Sequence, residues 1–427
     1  MSKIVITCFG SMGDLYPYVA LAKELKKRGH NVAIGSSTFF KAQVEAEAIP
    51  FFHLRSALDQ YTTAEKVRAL LKRLFDPMKG GEAITRELMG GVEETYLDTL
   101  KVIEPADFVI SNPLAYATPI ACREQNKLWL STILAPMFFL SVCEPPIMSP
   151  APWLRKLYSL SPALYRGLFK LLKGATKVWT QPLYQMCEKY HLPPPSGHPV
   201  FEGQYSPHGT LAMFPALFAK PQNDWPIKTT MTGFPLLSIE MAEDSALIEL
   251  QVFIDTGEAP IVFALGSSAV HLAGDFYRIS AAISRQLKRR AVLVYGGYDD
   301  QVEGIATGDD IFMINYVAYE KLFPHAALIV HQGGIGTLAQ SLAAKCPVLI
   351  VPFGFDQFDN GERIENMGVG KCLPRASYNV ENAAPVIEEL LSQPDYRECS
   401  ERIGKAVQSD DGAANAADVV EHLLANR

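Results

Sequence analysis

Two short segments carry residue types whose spacing could do chemistry. The first is Gly10-Ser11-Met12-Gly13-Asp14, between an apolar run at 4–9 and a helical pattern from about Leu15 to Arg28. It is not G-x-G-x-x-G, so the dinucleotide fingerprint is absent. Pro17 suits an early helical position, which puts Asp14 near the helix N-cap. There it can simply cap the backbone. It can also serve as a general base, because a helix N-terminus holds a carboxylate ionised while lowering its basicity. The residues alone leave both readings open.

The second segment is His331-Gln332-Gly333-Gly334-Ile335-Gly336-Thr337, after an apolar run at 327–330 and opening a helix near Leu338. Three glycines let the backbone approach a ligand, and free N–H groups with the helix dipole favour an anion. A tight strand-to-helix turn would need one glycine, so the pattern points to phosphate, with His331 adding a hydrogen bond or charge. Pro352-Phe353-Gly354-Phe355-Asp356-Gln357 ends the next apolar run, and its adjacent carboxylate and amide suit sugar hydroxyls. Gly266-Ser267-Ser268 is a weaker loop of the same kind, and Tyr316 of Tyr316-Val317-Ala318 could stack on a base.

The elements that must position these loops are continuous apolar runs alternating with helical patterns. One series comprises 4–9, 32–35, 108–111 and 128–132, and another 260–265, 291–295, 311–315, 327–330 and 348–352. Runs without strict alternation suit a parallel sheet covered on both faces. The expected architecture is α/β, two doubly wound domains with ligands at the carboxyl ends of the strands in a cleft between them. A proline-bearing polar stretch at 219–237 is the expected linker. It separates an N-terminal domain at 1–218 from a C-terminal domain at 238–404.

The 427 residues carry 39 Lys+Arg against 46 Asp+Glu, a net charge of −7 that argues against nucleic acid as the main partner. Seven scattered cysteines without a C-x-x-C pair suggest a reducing cytoplasm, and the N-terminus shows no signal-peptide pattern. No G-x-S-x-G, P-loop, H-E-x-x-H or D-x-D occurs, so no metal site is expected. One segment departs from the average. Residues 145–187 hold no Asp or Glu but Arg155, Lys156, Arg166, Lys170, Lys173 and Lys177. Leu164, Tyr165, Leu168, Leu171 and Leu172 share one helical face there, and four of the cations the other. Such a helix either packs on its own core or touches an anionic membrane peripherally.

The 331–337 block, with Cys346-Pro-Val-Leu-Ile-Val-Pro352 and Asp356-Gln357, resembles the donor-binding signature of family 1 glycosyltransferases, the UDP-glycosyltransferase superfamily of the GT-B fold. Gly10-Ser-Met-Gly-Asp14 with Pro17 resembles the opening of its bacterial and sterol branch, and Asp224-Trp225-Pro226 and Thr232-Gly233-Phe234-Pro235 resemble that branch's linker. Phe214-Pro-Ala-Leu-Phe-Ala219, Gly274-Asp-Phe-Tyr277 and Asp356-Gln-Phe-Asp-Asn360 resemble the rhamnosyltransferases of rhamnolipid synthesis.

The resemblance implies two Rossmann-like domains facing a cleft and a C-terminal helix, 405–427, packing back on the N-terminal domain. It implies inverting, metal-independent transfer of a hexose from a nucleoside-diphosphate sugar to a hydroxyl of a lipophilic small molecule or lipid. The donor would be of UDP-glucose or dTDP-rhamnose type, a co-substrate, with no cofactor. Asp14 would be the base, in an acceptor loop of Gly10, Ser11, Met12 and Gly13. Ser267, Ser268, His331, Gly333, Gly334, Gly336 and Thr337 would hold the diphosphate. Tyr316 and Val317 would face the nucleobase, and Asp356 and Gln357 the sugar. A nucleotide-sugar epimerase and a non-catalytic sugar-nucleotide or lipid-binding module are the alternatives.

Overall fold

In a computed structural model, residues 1–148, 151–239 and 245–426 are described. The chain divides into two compact units, Met1–Leu237 with Asp411–Arg427, and Ser238–Asp410. The first is built on β1 (Lys3–Thr7), β2 (Asn31–Ser36), β3 (Phe51–His53), β4 (Phe108–Ser111), β5 (Trp129–Ile133), β6 (Thr210–Ala212) and β7 (Thr229–Met231). They form one parallel sheet in the order β3-β2-β1-β4-β5-β6-β7. The second carries β8 (Ile261–Ala264), β9 (Ala291–Val294), β10 (Ile311–Ile314), β11 (Leu328–His331), β12 (Val348–Ile350) and β13 (Gly370–Cys372). Their order is β10-β9-β8-β11-β12-β13, again all parallel.

The apolar runs become these strands for the reason their composition suggests. β4, β5, β8, β9 and β11 are buried at every residue, as strands between two helical layers must be. In both sheets the strand order reverses beside the first strand, between β1 and β4 and between β8 and β11. That switch point is where the adjacent loops diverge and leave room for a ligand.

The boundaries differ from the sequence expectation in two places. The stretch 219–237 is not a free linker: it contains β7, and Trp225 is buried, stacking on Phe139 at 4.0 Å between ring centroids. Its prolines and polar residues mark turns around an edge strand. The division therefore falls after Leu237; 240–244, just beyond it, lie outside the described residues.

At the other end, helix Pro394–Ser409 stays with the second unit, and only Asp411–Arg427 joins the first. Its helix, Gly412–Ala425, packs on Met12–Lys27, and Arg28 pairs with Asp418 and Glu421. Gly412 permits the approach, since a Cβ there would lie 2.5 Å from the Phe234 carbonyl carbon.

Candidate active site

The first loop follows β1 at the switch point of the first sheet. Gly10 turns the chain with φ +131°, and a Cβ there would lie 2.5 Å from Asp14 Oδ2. Only glycine allows this turn and the close seat of the carboxylate together. Ser11, extended at φ −105°, is the N-cap of helix Met12–Lys27. Asp14 is thus the third helical residue rather than the cap, and Pro17 lies one turn further in, not at the helix start. From that position Asp14 reaches back. Its Oδ2 accepts from the Ser11 N–H at 2.7 Å and from the Ser11 hydroxyl at 2.8 Å.

The electrostatics reverse one expectation. Desolvation raises the Asp14 carboxyl above the usual carboxylate range, outweighing the two Ser11 hydrogen bonds that lower it. Asp14 is part-buried and both Ser11 bonds fall on one oxygen, so it is the loss of solvation, against those two bonds, that sets the direction of its shift. Asp14 adds to the raised pKa of the buried Tyr18, whose hydroxyl lies 2.6 Å from Thr132 Oγ1. Across the switch point, Asn112 directly follows β4, its N–H donating to Thr7 O at 3.0 Å, and is almost fully buried. Sequence reasoning passed over Asn112. The only signal was a polar Ser-Asn-Pro directly after an apolar run.

The second unit brings three predicted loops together. After β11, Gly333 turns at φ +87°, where a Cβ would lie 2.6 Å from Ile350 Cγ2. Gly334 is the N-cap of helix Ile335–Ala343, which has no side-chain cap and no acidic residue in its first turn. A helix start left in this state suits an anion. Thr337 is its third residue and is nearly buried.

His331 does not point at that anion site. It is fully buried, its Nδ1 accepts from the Gly333 N–H at 3.0 Å, and its Nε2 lies 3.3 Å from Ser341 Oγ. Burial pulls its pKa down to about 3, so the ring is neutral. The expected positive charge is therefore absent, because an imidazolium here would be desolvated with a hydrogen bond already donated to it. His331 shapes the glycine turn instead.

Gln332, not singled out by sequence, does the bridging. Its Oε1 accepts from the Gly266 N–H at 2.9 Å, and its Nε2 reaches Thr337 Oγ1 at 3.5 Å. It thereby ties the loop after β8 to the loop after β11, across the switch point. Ser267 is exposed and Ser268 half-buried beyond this tie. The Asp356–Gln357 corner is joined from the other side. Asn360 Nδ2 donates to Gly333 O at 2.9 Å and to Asp356 Oδ2 at 2.7 Å. Gln357 Oε1 accepts from the N–H groups of Phe353 and Gly354, at 2.7 and 3.0 Å. Asp356 occupies the N-cap of Gln357–Asn366 without a side-chain cap bond.

Tyr316, two residues beyond β10, is half exposed, whereas Val317 is buried. A hollow of about 500 Å³ lies at the amino edge of the first sheet, lined by Asp107, Lys127, His208 and Lys228 among others. It contains none of the loops above.

Two doubly wound parallel domains with glycine loops at their switch points define the GT-B class. Solved glycosyltransferases share this fold. VinC, solved in complex with DTDP, gives a TM-score of 0.69 at 17% identity, covering 98% of each chain. SnogD from Streptomyces nogalater gives 0.68 at 17% identity, covering 99% of this chain and 100% of its own. Residues 4–127 match the model of the glycosyltransferase family 28 N-terminal domain. Residues 299–425 match the erythromycin biosynthesis protein CIII-like C-terminal domain.

An O-mycaminosyltylonolide 6-deoxyallosyltransferase of Streptomyces fradiae is 28% identical over all of this chain and 98% of its own length. A sterol 3-beta-glucosyltransferase of Arabidopsis thaliana is 28% identical over 97% of this chain, which spans 64% of that relative. The chain is a glycosyltransferase of the GT-B fold, and the resemblance to the bacterial and sterol branch holds.

Proposed function

We propose that the chain transfers a hexose from a nucleoside-diphosphate sugar, of UDP-glucose or dTDP-rhamnose type, to a hydroxyl of a lipophilic small molecule or lipid. The reading is an inverting, metal-independent transfer with the nucleotide sugar as co-substrate and no cofactor. Asp14 takes the acceptor proton as the hydroxyl attacks the anomeric carbon. The diphosphate leaves toward the first turn of Ile335–Ala343, where backbone N–H groups of Gly336 and Thr337 and the hydroxyls of Ser267, Ser268 and Thr337 receive its charge. Asp356 and Gln357 hold the sugar, and Tyr316 with the Val317 backbone the base. A macrolide-type or sterol acceptor, as in the names of the relatives, fits a lipophilic hydroxyl. The setting proposed is cytoplasmic, at the inner face of a membrane.

The observation that carries the reading is Asp14 itself, a carboxyl raised by desolvation and held through one oxygen in the first turn of the helix that follows the switch strand. A base needs a pKa near its working pH and a fixed direction. The test is nucleoside diphosphate release over a panel of sugar nucleotides and lipophilic alcohols. Acceptor-dependent release is expected for one donor class. Conversion of the donor without acceptor would establish an epimerase, and binding without turnover a carrier module.

A further inference from the structure

Residues 151–180 of the first unit form two helices, Trp153–Leu160 and Pro162–Thr176, and a short turn, Lys177–Thr180. Ser149 and Pro150, at the start of the acid-free segment, lie outside the described residues. Ser161 joins the helices in an extended conformation. Their inner side is aromatic. Buried Tyr165 meets Tyr158 edge-on and stacks on Phe169, which meets Phe201 edge-on.

The outer side carries apolar residues that no core covers. Leu160 is 84% exposed, Leu164 63% and Leu171 72%, with Trp153 and Val178 also more than half exposed. At 100° per residue, Leu164, Leu168 and Leu171 form one stripe along Pro162–Thr176, with Leu164 and Leu171 its exposed members. Arg166, Lys170, Lys173 and Lys177 form a second stripe on the other flank of the buried face. Lys173 pairs with Glu202, and Lys177 lies over the Tyr184 ring at 5.3 Å. Between the stripes run Gly167 and Gly174, where an added Cβ would meet nothing within 4 Å.

We propose that this exposed flank docks on an anionic lipid bilayer. The leucine stripe and Trp153 enter the headgroup–acyl boundary, while Lys156, Arg166 and Lys170 lie against lipid phosphates. An apolar stripe beside a cationic one, without a carboxylate from 145 to 187, complements a negatively charged interface with an apolar interior. A protein partner surface would have to match both stripes; a fluid bilayer does so without a fixed contour. The docking rests on the lipophilic-acceptor reading for its purpose only.

The test is cosedimentation of the full chain with phosphatidylcholine vesicles, with and without phosphatidylglycerol. Binding is expected only to the anionic vesicles, weakened by salt, with Trp153 emission shifted to the blue. Leu164→Gln with Leu171→Gln should lower the partition at least about tenfold, and Arg166→Gln with Lys170→Gln should remove the preference for anionic lipid. All four residues are exposed, so both variants should keep the parent's melting temperature. Equal binding to neutral and anionic vesicles, no binding, or a dimer broken by the leucine changes would overturn the proposal. Transfer to a water-soluble alcohol without vesicles reads the transferase separately.

Discussion

The two glycine loops occupy the same frame. In each, a switch strand ends, a glycine takes positive φ, an N-cap follows, and a second glycine precedes the third helical residue. Gly10, Ser11, Gly13 and Asp14 stand in the first unit where Gly333, Gly334, Gly336 and Thr337 stand in the second. The chemistry differs because of two side chains. Asp14 fills the helix N-terminus with the chain's own negative charge and is held there by Ser11. Thr337 and Gly334 leave the same position uncharged, so an external anion can take it. One backbone device thus presents a base in one domain and an anion cradle in the other.

The largest expected effect tests the first half of that contrast. Asp14→Asn should lower kcat by about 10²- to 10⁴-fold, the usual worth of a general base, with the donor KM unchanged. Wild-type kcat/KM should rise with pH through an acid limb placed above the ordinary carboxylate range, and the limb should vanish in the variant. Stability runs the other way. The folded-state pKa of Asp14 lies above its unfolded value. Its contribution is present while the group is protonated and is lost as pH rises through the raised pKa. The variant, which still offers an acceptor to Ser11, should match the parent in acid and exceed it in denaturant midpoint at neutral pH. A variant with wild-type turnover would remove Asp14 as base.

Thr337→Asp converts the second loop into a copy of the first. A carboxylate within about 4 Å of the diphosphate costs on the order of 4 kcal/mol at the effective dielectric of a protein surface. Donor affinity should therefore fall at least about a hundredfold by calorimetry, while Thr337→Ser stays near wild type. Unchanged donor binding in Thr337→Asp would place the diphosphate elsewhere.

Much of this contrast was legible in the sequence. Uncharged runs gave the strands, because a charge between two helical layers would be desolvated without a partner. The glycines marked both turns, since a Cβ at Gly10 or Gly333 would strike a neighbour. What was not legible depended on direction. His331 read as a hydrogen bond or a charge for phosphate, but its ring turns inward to Gly333 and Ser341. Asp14 read equally as a cap or as a base of lowered basicity, and desolvation, which outweighs its two Ser11 bonds, could not be read from the residues. The role of Gln332 was not legible because it joins segments distant in sequence, linking to Gly266, 66 residues away. The exposed leucines of 160–171 share a helical period with core residues, and only packing separates the two.

The smallest effects separate bridging from charge within the second loop. Gln332→Ala removes the amide that links Gly266 to the 331–337 turn, and one such hydrogen bond contributes about 1 kcal/mol. Donor KM should rise several-fold, with kcat altered less, and Gln332→Glu should weaken the donor further by adding a charge beside the same helix terminus. His331 should contribute nothing titratable. With its pKa near 3, donor affinity should carry no histidine inflection across about pH 5.5–8, the range in which an ordinary histidine changes charge. The cost appears in stability: the unfolded chain takes up a proton below its ordinary histidine pKa and the folded one does not, so this site's contribution falls as pH drops from there toward 3. A donor-binding inflection near neutrality that disappeared in His331→Asn would put an imidazolium at the diphosphate and erase the distinction between a turn-shaping histidine and an anion ligand.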